Sequence, residues 1–177
     1  MSPYRGATVR AIDPASAAAI YDLRLLLEPE AVRRAVQASG VQAGGVQASG
    51  PEAGGWTTAQ AALAVSDAAA GQAQRSLANR EFHRTLYLAC GNSLLVKTLD
   101  DLRDQTALVS ALSWEQAPSW QQEAAEHRAI LAAARAGAAA EAAALLRAHI
   151  AGFAGRHFPA PQFSALASAT EWSTDAY

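Results

Sequence analysis

The sequence predicts an all-α protein, on three observations. Hydrophobic residues make up 51% of the chain and aromatics only 7%. Much of the apolar share is alanine, a strong helix former and a weak core filler. Apolar residues recur at three- and four-residue spacing in one segment after another. Between those segments stand helix breakers: Asp13-Pro14, Gly91-Asn92, Ala117-Pro118-Ser119, Gly137 and Pro159. A length of 177 residues fits one domain with a real core.

In order, residues 1–13 do not read as the start of a domain. Gly6 precedes an alternating, β-favouring Ala7-Thr8-Val9-Arg10-Ala11-Ile12, the pattern of a last strand. Asp13 is an N-cap and Pro14 suits a first turn. A first helix over about 14–37 would bury Ile20, Leu23, Leu27, Ala31 and Val32. Arg24 and Glu28, four apart, can pair along its surface. Pro29 predicts a kink or break near Leu25–Glu28. Residues 36–50 repeat VQAxG, and with 51–55 form a low-complexity loop insertion at 36–55, too glycine-rich for a helix and too short in period for a solenoid.

A second helix is expected over about 57–77, with Leu63 and Val65 among its few bulky residues. The third, NREFHRTLYLACGN at 79–92, is the organising stretch. Phe82, Leu86 and Ala89 form its stripe, and Gly91-Asn92 stops it. A fourth starts at Asn92, with Leu94, Leu95, Leu99, Leu102, Leu108 and Leu112 inside and Asp100, Asp101, Arg103 and Asp104 on a wet face. A fifth spans about 119–136, closed by Gly137. A sixth spans about 138–158. Trp114 and Trp120 should pack the turn between the fourth and fifth, and Cys90 should be a small buried hydrophobe. Residues 159–177 read as a flexible polar tail.

The formal net charge is −2 and no Lys/Arg cluster is dense enough to track a phosphate backbone, so this chain alone is not expected to grip nucleic acid. One cysteine excludes an internal disulfide and suits a cytoplasmic location. No apolar run is long enough for a membrane span, and the N-terminus lacks the apolar core of a signal peptide. Nucleophile elbow, P-loop, dinucleotide fingerprint, HExxH and ExxH are all missing.

The histidines offer chemistry. Asn79 and His83 project from one face of the third helix. His127 and His149 lie 44 and then 22 residues on, each in its own helical segment. Three helices could bring the imidazoles, with the Asn79 oxygen, to one buried point holding a divalent metal. Zinc is the first choice, with nickel, manganese or iron as alternatives. Such a set leaves an open position for a ligand. Spacing alone leaves open a blander reading, histidines that merely pack a helical dimerisation module. A mononuclear metal hydrolase or lyase is a third reading. It needs a base beside the metal, and Glu81 and Glu126 both diverge from their neighbouring histidines. His157, near a helix end, is left out of the site.

Three blocks together resemble the C-terminal effector-binding (FCD) domain of GntR-type transcriptional regulators of the FadR subfamily. They are YDLRLLLEPEAVRRAV at 21–36, NREFHRTLYLACGNSLL at 79–95, and EHRAILAAARAG through LLRAHI at 126–150. The first is similar to the family's R-x-x-x-E-P helix, the second to its D-x-x-x-H helix followed by Gly-Asn, and the third carries its two later histidines. The resemblance covers about 14–158 and implies an antiparallel bundle of six to seven helices enclosing a ligand cavity. It implies a sensor, not an enzyme, with a divalent metal held by Asn79, His83, His127 and His149. It further implies a small carboxylate effector near Arg24 and Tyr87, and a homodimer. Two features depart from the family. Asn79 stands where it has Asp, which weakens attraction for a dication or favours an anionic ligand. The winged helix-turn-helix that would contact DNA is missing, and residues 1–13 resemble the remnant of its wing and linker.

Overall fold

A computed structural model describes residues 13–39, 53–116 and 119–157. The expected wing remnant, most of the VQAxG insertion and the expected tail lie outside them. Among the described residues there are six helices and no strand: α1 (Pro14–Ala38), α2 (Ala53–Ala68), α3 (Gln72–Tyr87), α4 (Ser93–Gln116), α5 (Trp120–Arg135) and α6 (Ala139–His157). This is the predicted all-α bundle. No helix of the described chain is long and apolar enough to cross a membrane.

Helix α1 is the hub, packing on α6, α4 and α3, while α2 packs on α3 and α5, and α5 on α6. Short connections at 69–71, 88–92 and 136–138 turn the chain back on itself and set antiparallel neighbours. The core runs through Ile20, Leu25, Phe82, Leu86, Leu99, Ile130, Leu146 and Ile150. Tyr21 of α1 stacks on Phe153 of α6 at 5.1 Å between ring centroids.

Helix ends follow local chemistry. Asp13 caps α1 as expected, its Oδ1 accepting from Ser16 N at 2.8 Å. Asn92 Oδ1 caps α4 by accepting from Leu95 N. At the end of α5, Gly137 takes φ +72°. Gly137 N donates to Ala134 O and Ala138 N to Ala133 O, the paired bonds of a Schellman motif.

Several boundaries and faces differ from expectation. Residues 36–38 belong to α1 and 53–55 to α2, so the loop is shorter than 36–55. The second helix stops at Ala68 rather than near 77, and α3 starts at Gln72 with Gly71 as its extended cap. The run Asp67-Ala68-Ala69-Ala70-Gly71 carries no bulky side chain to mark that break in an apolar pattern. Helix α3 ends at Tyr87, leaving Ala89 exposed, and Leu23, Val65 and Leu94 also face outward. Side chains at 108, 112 and 114 are not among those described.

Pro29 does not break α1, which runs through it. Without an N–H, Pro29 cannot bond the Leu25 carbonyl one turn back. Arg147 of α6 takes that place: its Nη1 donates to Leu25 O at 3.1 Å. The helix thus stays continuous, and the freed carbonyl becomes a cross-link from α1 to α6.

Arg147→Ala should therefore destabilise the fold by about 1–3 kcal/mol, the usual range for a buried acceptor left unmet. Pro29→Ala, which restores an N–H, should recover part of that loss in the Arg147→Ala background. Urea unfolding of the two single variants and the double variant measures this coupling, and strictly additive effects would refute it.

Candidate metal centre

Three imidazoles from three helices meet. His83 (α3), His127 (α5) and His149 (α6) are all buried, and each offers a ligand atom within 4.8 Å of the others. Their ring centroids lie 5.1 Å (83–127), 5.3 Å (83–149) and 4.5 Å (127–149) apart. Phe82 packs its ring 4.6 Å from that of His127 and walls one side.

Carboxylates orient two of the rings. Glu28 Oε1 lies 2.5 Å from His83 Nδ1. Its other oxygen accepts from Arg24 Nε at 2.8 Å. Burial opposes the charge on Glu28, but Arg24 and then His83 and Arg103 outweigh it and hold the carboxyl well below its usual range. Burial and then the Arg103 charge push His83 well below its ordinary value. A neutral His83 facing a carboxylate donates from Nδ1, so its lone pair is on Nε2. Glu126 Oε2 sits 2.7 Å from His149 Nδ1 and orients that ring likewise. Such imidazole–carboxylate contacts are the usual support behind metal-ligating histidines.

Burial, followed by the neighbouring His149 and His83, also pushes His127 well below its ordinary value. The Nε2 atoms of His127 and His149 approach to 3.2 Å. That separation is close to the roughly 3.3 Å between two nitrogens bound to one tetrahedral zinc at about 2.0–2.1 Å each.

Asn79, one turn before His83, is 7% exposed, and its Oδ1 has no hydrogen-bond partner; nor has His83 Nε2. Buried polar atoms are nearly always satisfied, and each orphan costs about 1–3 kcal/mol. Lone pairs on imidazole nitrogens and an amide oxygen are the donors a borderline divalent ion takes. The residues present therefore fit a divalent metal.

Beside the imidazoles lies a small hollow, bordered by Asn79, His83, His149, Arg24, Arg103 and Glu123 among others. Arg24 is 2% exposed, so the predicted pair with Glu28 exists but inside the protein rather than along its surface. Burial works against the Arg24 charge, yet the Glu28 carboxylate outweighs it and the pKa is raised. Arg103, expected on a wet face, is also 2% exposed. Burial, and then Arg24, push it down to about 10, so it stays charged at neutral pH. Its Nη2 donates to the Asn79 backbone carbonyl at 3.2 Å. Tyr87 is fully buried, but its hydroxyl donates to Asp100 Oδ1 at 2.7 Å and it is not among the residues bordering the hollow.

The reading from sequence thus named the three histidines, Asn79 and Arg24, all of which border this centre. It missed Glu28, Arg103, Glu123 and the role of Glu126. A usable signal existed. Ile20, Arg24, Glu28 and Val32 repeat every four residues, and so mark one buried row with two charges in its middle. On α4, Leu99, Arg103 and Thr106, spaced four and then three apart, likewise mark a buried row with one charge in it.

Residues 51–152 match the sequence model of a known family, described as the FCD domain. The matched stretch contains Asn79 and the three histidines. It leaves out α1, which carries the first of the blocks noted above. No curated protein and no solved structure matches the chain.

Two effects on stability are expected. Glu28→Gln leaves two buried guanidiniums without their shared counter-charge and should cost about 3–5 kcal/mol. In metal-stripped protein, the unfolded chain protonates His83 and His127 at higher pH than the folded one does. Stability should be full above about pH 6.5 and fall as pH drops below it, with a further loss below about 4.5 as unfolded Glu28 takes up a proton. Denaturant titrations across this range test both steps. A profile flat through pH 6.5 would contradict buried neutral imidazoles, and Glu28→Gln should lack the acid step.

Proposed function

The chain belongs to the FCD domain family, the effector-binding domain of GntR-type transcriptional regulators, and we propose that it senses a small organic acid at a divalent-metal centre. The observation that carries this reading is the convergence of His83, His127 and His149 within 4.8 Å, two of them braced by carboxylates. In this proposal the three imidazoles and Asn79 hold the ion, zinc first and nickel, manganese or iron otherwise. When bound, the ion offers an open position to a carboxylate oxygen.

The chain's own residues supply the rest of the recognition. Arg24 and Arg103 border the hollow, and Arg24 Nη2 and Arg103 Nε are buried without hydrogen-bond partners. Guanidinium donors of this kind suit a carboxylate. Tyr87 would reach that acid only by releasing Asp100. The effector would tie α1 and α4, through Arg24 and Arg103, to the metal-bearing helices α3, α5 and α6. A homodimer of such domains would pass that change to DNA through attached winged helix-turn-helix heads. Glu28 and Glu126 are each engaged with an imidazole, so neither stands ready as a general base.

Zinc-loaded protein screened against small carboxylates should show a rise in melting temperature of about 5–10 °C for its effector at a hundredfold excess over Kd. The rise should vanish after chelation, and His83→Ala, His127→Ala and His149→Ala should each strip the metal. Metal content unchanged in all three variants would defeat the proposal.

A further inference from the structure

Position 79 carries a neutral amide, so the four residues proposed to hold the ion bring it no negative charge. Yet a carboxylate sits at the edge of the site, unused by anything above. Glu123 is 3% exposed, in the first turn of α5 and one turn before His127. Residues four apart on a helix share a face, with Cβ atoms about 5–6 Å apart. Glu123 borders the same hollow as Asn79, His83 and His149. It also borders a second small hollow, shared with Asn79 and His127 between α2, α3 and α5. Among the described residues, the other carboxylate bordering these two hollows is Asp67, which is exposed and paired with Arg128. Glu28 and Glu126 face the outer nitrogens of their imidazoles instead.

Glu123 has contacts of its own. Ser119 Oγ donates to its Oε1, from the cap residue of the same helix. Its charge also reaches His157 at the end of α6. A carboxylate buried beside an orphaned amide oxygen and three imidazole lone pairs gains most from a cation there.

We infer that Glu123 supplies the bound metal with the negative charge that Asn79 lacks. The anionic partner of the ion has in effect moved from α3 to α5. This rests on the metal reading above and extends it: a cation at this centre is held by three imidazoles and an amide, and compensated by a carboxylate one turn from His127.

The test is zinc affinity, measured by competition with a chromophoric chelator, in protein shown by circular dichroism to be folded. Glu123→Gln should weaken zinc about 10–100-fold, the usual effect of losing an outer partner of a metal site. Asn79→Asp adds a carboxylate in any background, so the discriminating quantity is the coupling: its gain in zinc affinity should be larger in Glu123→Gln than in the wild type. A merely structural role for Glu123 at the α5 N-terminus would give equal gains in the two backgrounds. Wild-type affinity in Glu123→Gln, with zinc lost in His127→Ala, overturns the inference and leaves the metal centre standing. A weakened Glu123→Gln with equal gains from Asn79→Asp overturns it too. Zinc affinity unchanged in all three histidine variants would instead remove the metal centre itself.

Discussion

The Glu28 carboxylate, wholly buried, is the interaction on which the rest of the structure depends. It neutralises Arg24 along α1 and orients His83 on α3, and its field acts on Arg103 of α4. A lone charge in that position would be untenable, since removing one partner of a buried pair exposes the full desolvation penalty of the other. Placed between two guanidiniums and an imidazole, it lets three helices bring polar groups into the core. It also leaves the His83 Nε2 lone pair as the one without a partner in the core.

The helix carrying Glu28 is held by a second device next to it. Pro29 frees the Leu25 carbonyl, and Arg147 fills the gap from α6. Helix α6 also presents His149. The proline therefore does more than shape α1: its missing donor ties the helix of Arg24 and Glu28 to the helix of His149. A displacement of α1 by a ligand at Arg24 would be felt at α6 through this bond as well as through packing of Tyr21 on Phe153.

The centre is unusual in its charge arrangement. Two guanidiniums border the hollow, burial keeps the His83 and His127 imidazoles neutral, and the position expected to be acidic is an amide. A dication there adds to the positive field of Arg24 and Arg103, partly offset by Glu28 and Glu123. Such a field draws anions.

Helix periodicity, breakers and caps were legible in the sequence alone, because they are local: Asp13 and Gly137 do what their backbone chemistry dictates wherever they stand. The spacing of His83, His127 and His149 on separate helices was legible too, as was Asn79 one turn before the first. What the sequence left undecided was which charged residues go inside. Arg24, Glu28 and Arg103 have the composition of a wet surface. They are buried because α1, α3 and α4 close over them together: Arg24 and Glu28 pair within α1, but Glu28 also meets His83, 55 positions away, and the field of Arg103. The end of α2 was undecided for a related reason: an alanine run supports helix on either side of a break, and the packing of α2 on α3 settles where the turn falls. Local propensity determined the rods and their ends, and only tertiary structure, through mutual neutralisation of distant charges, decided the chemistry between them.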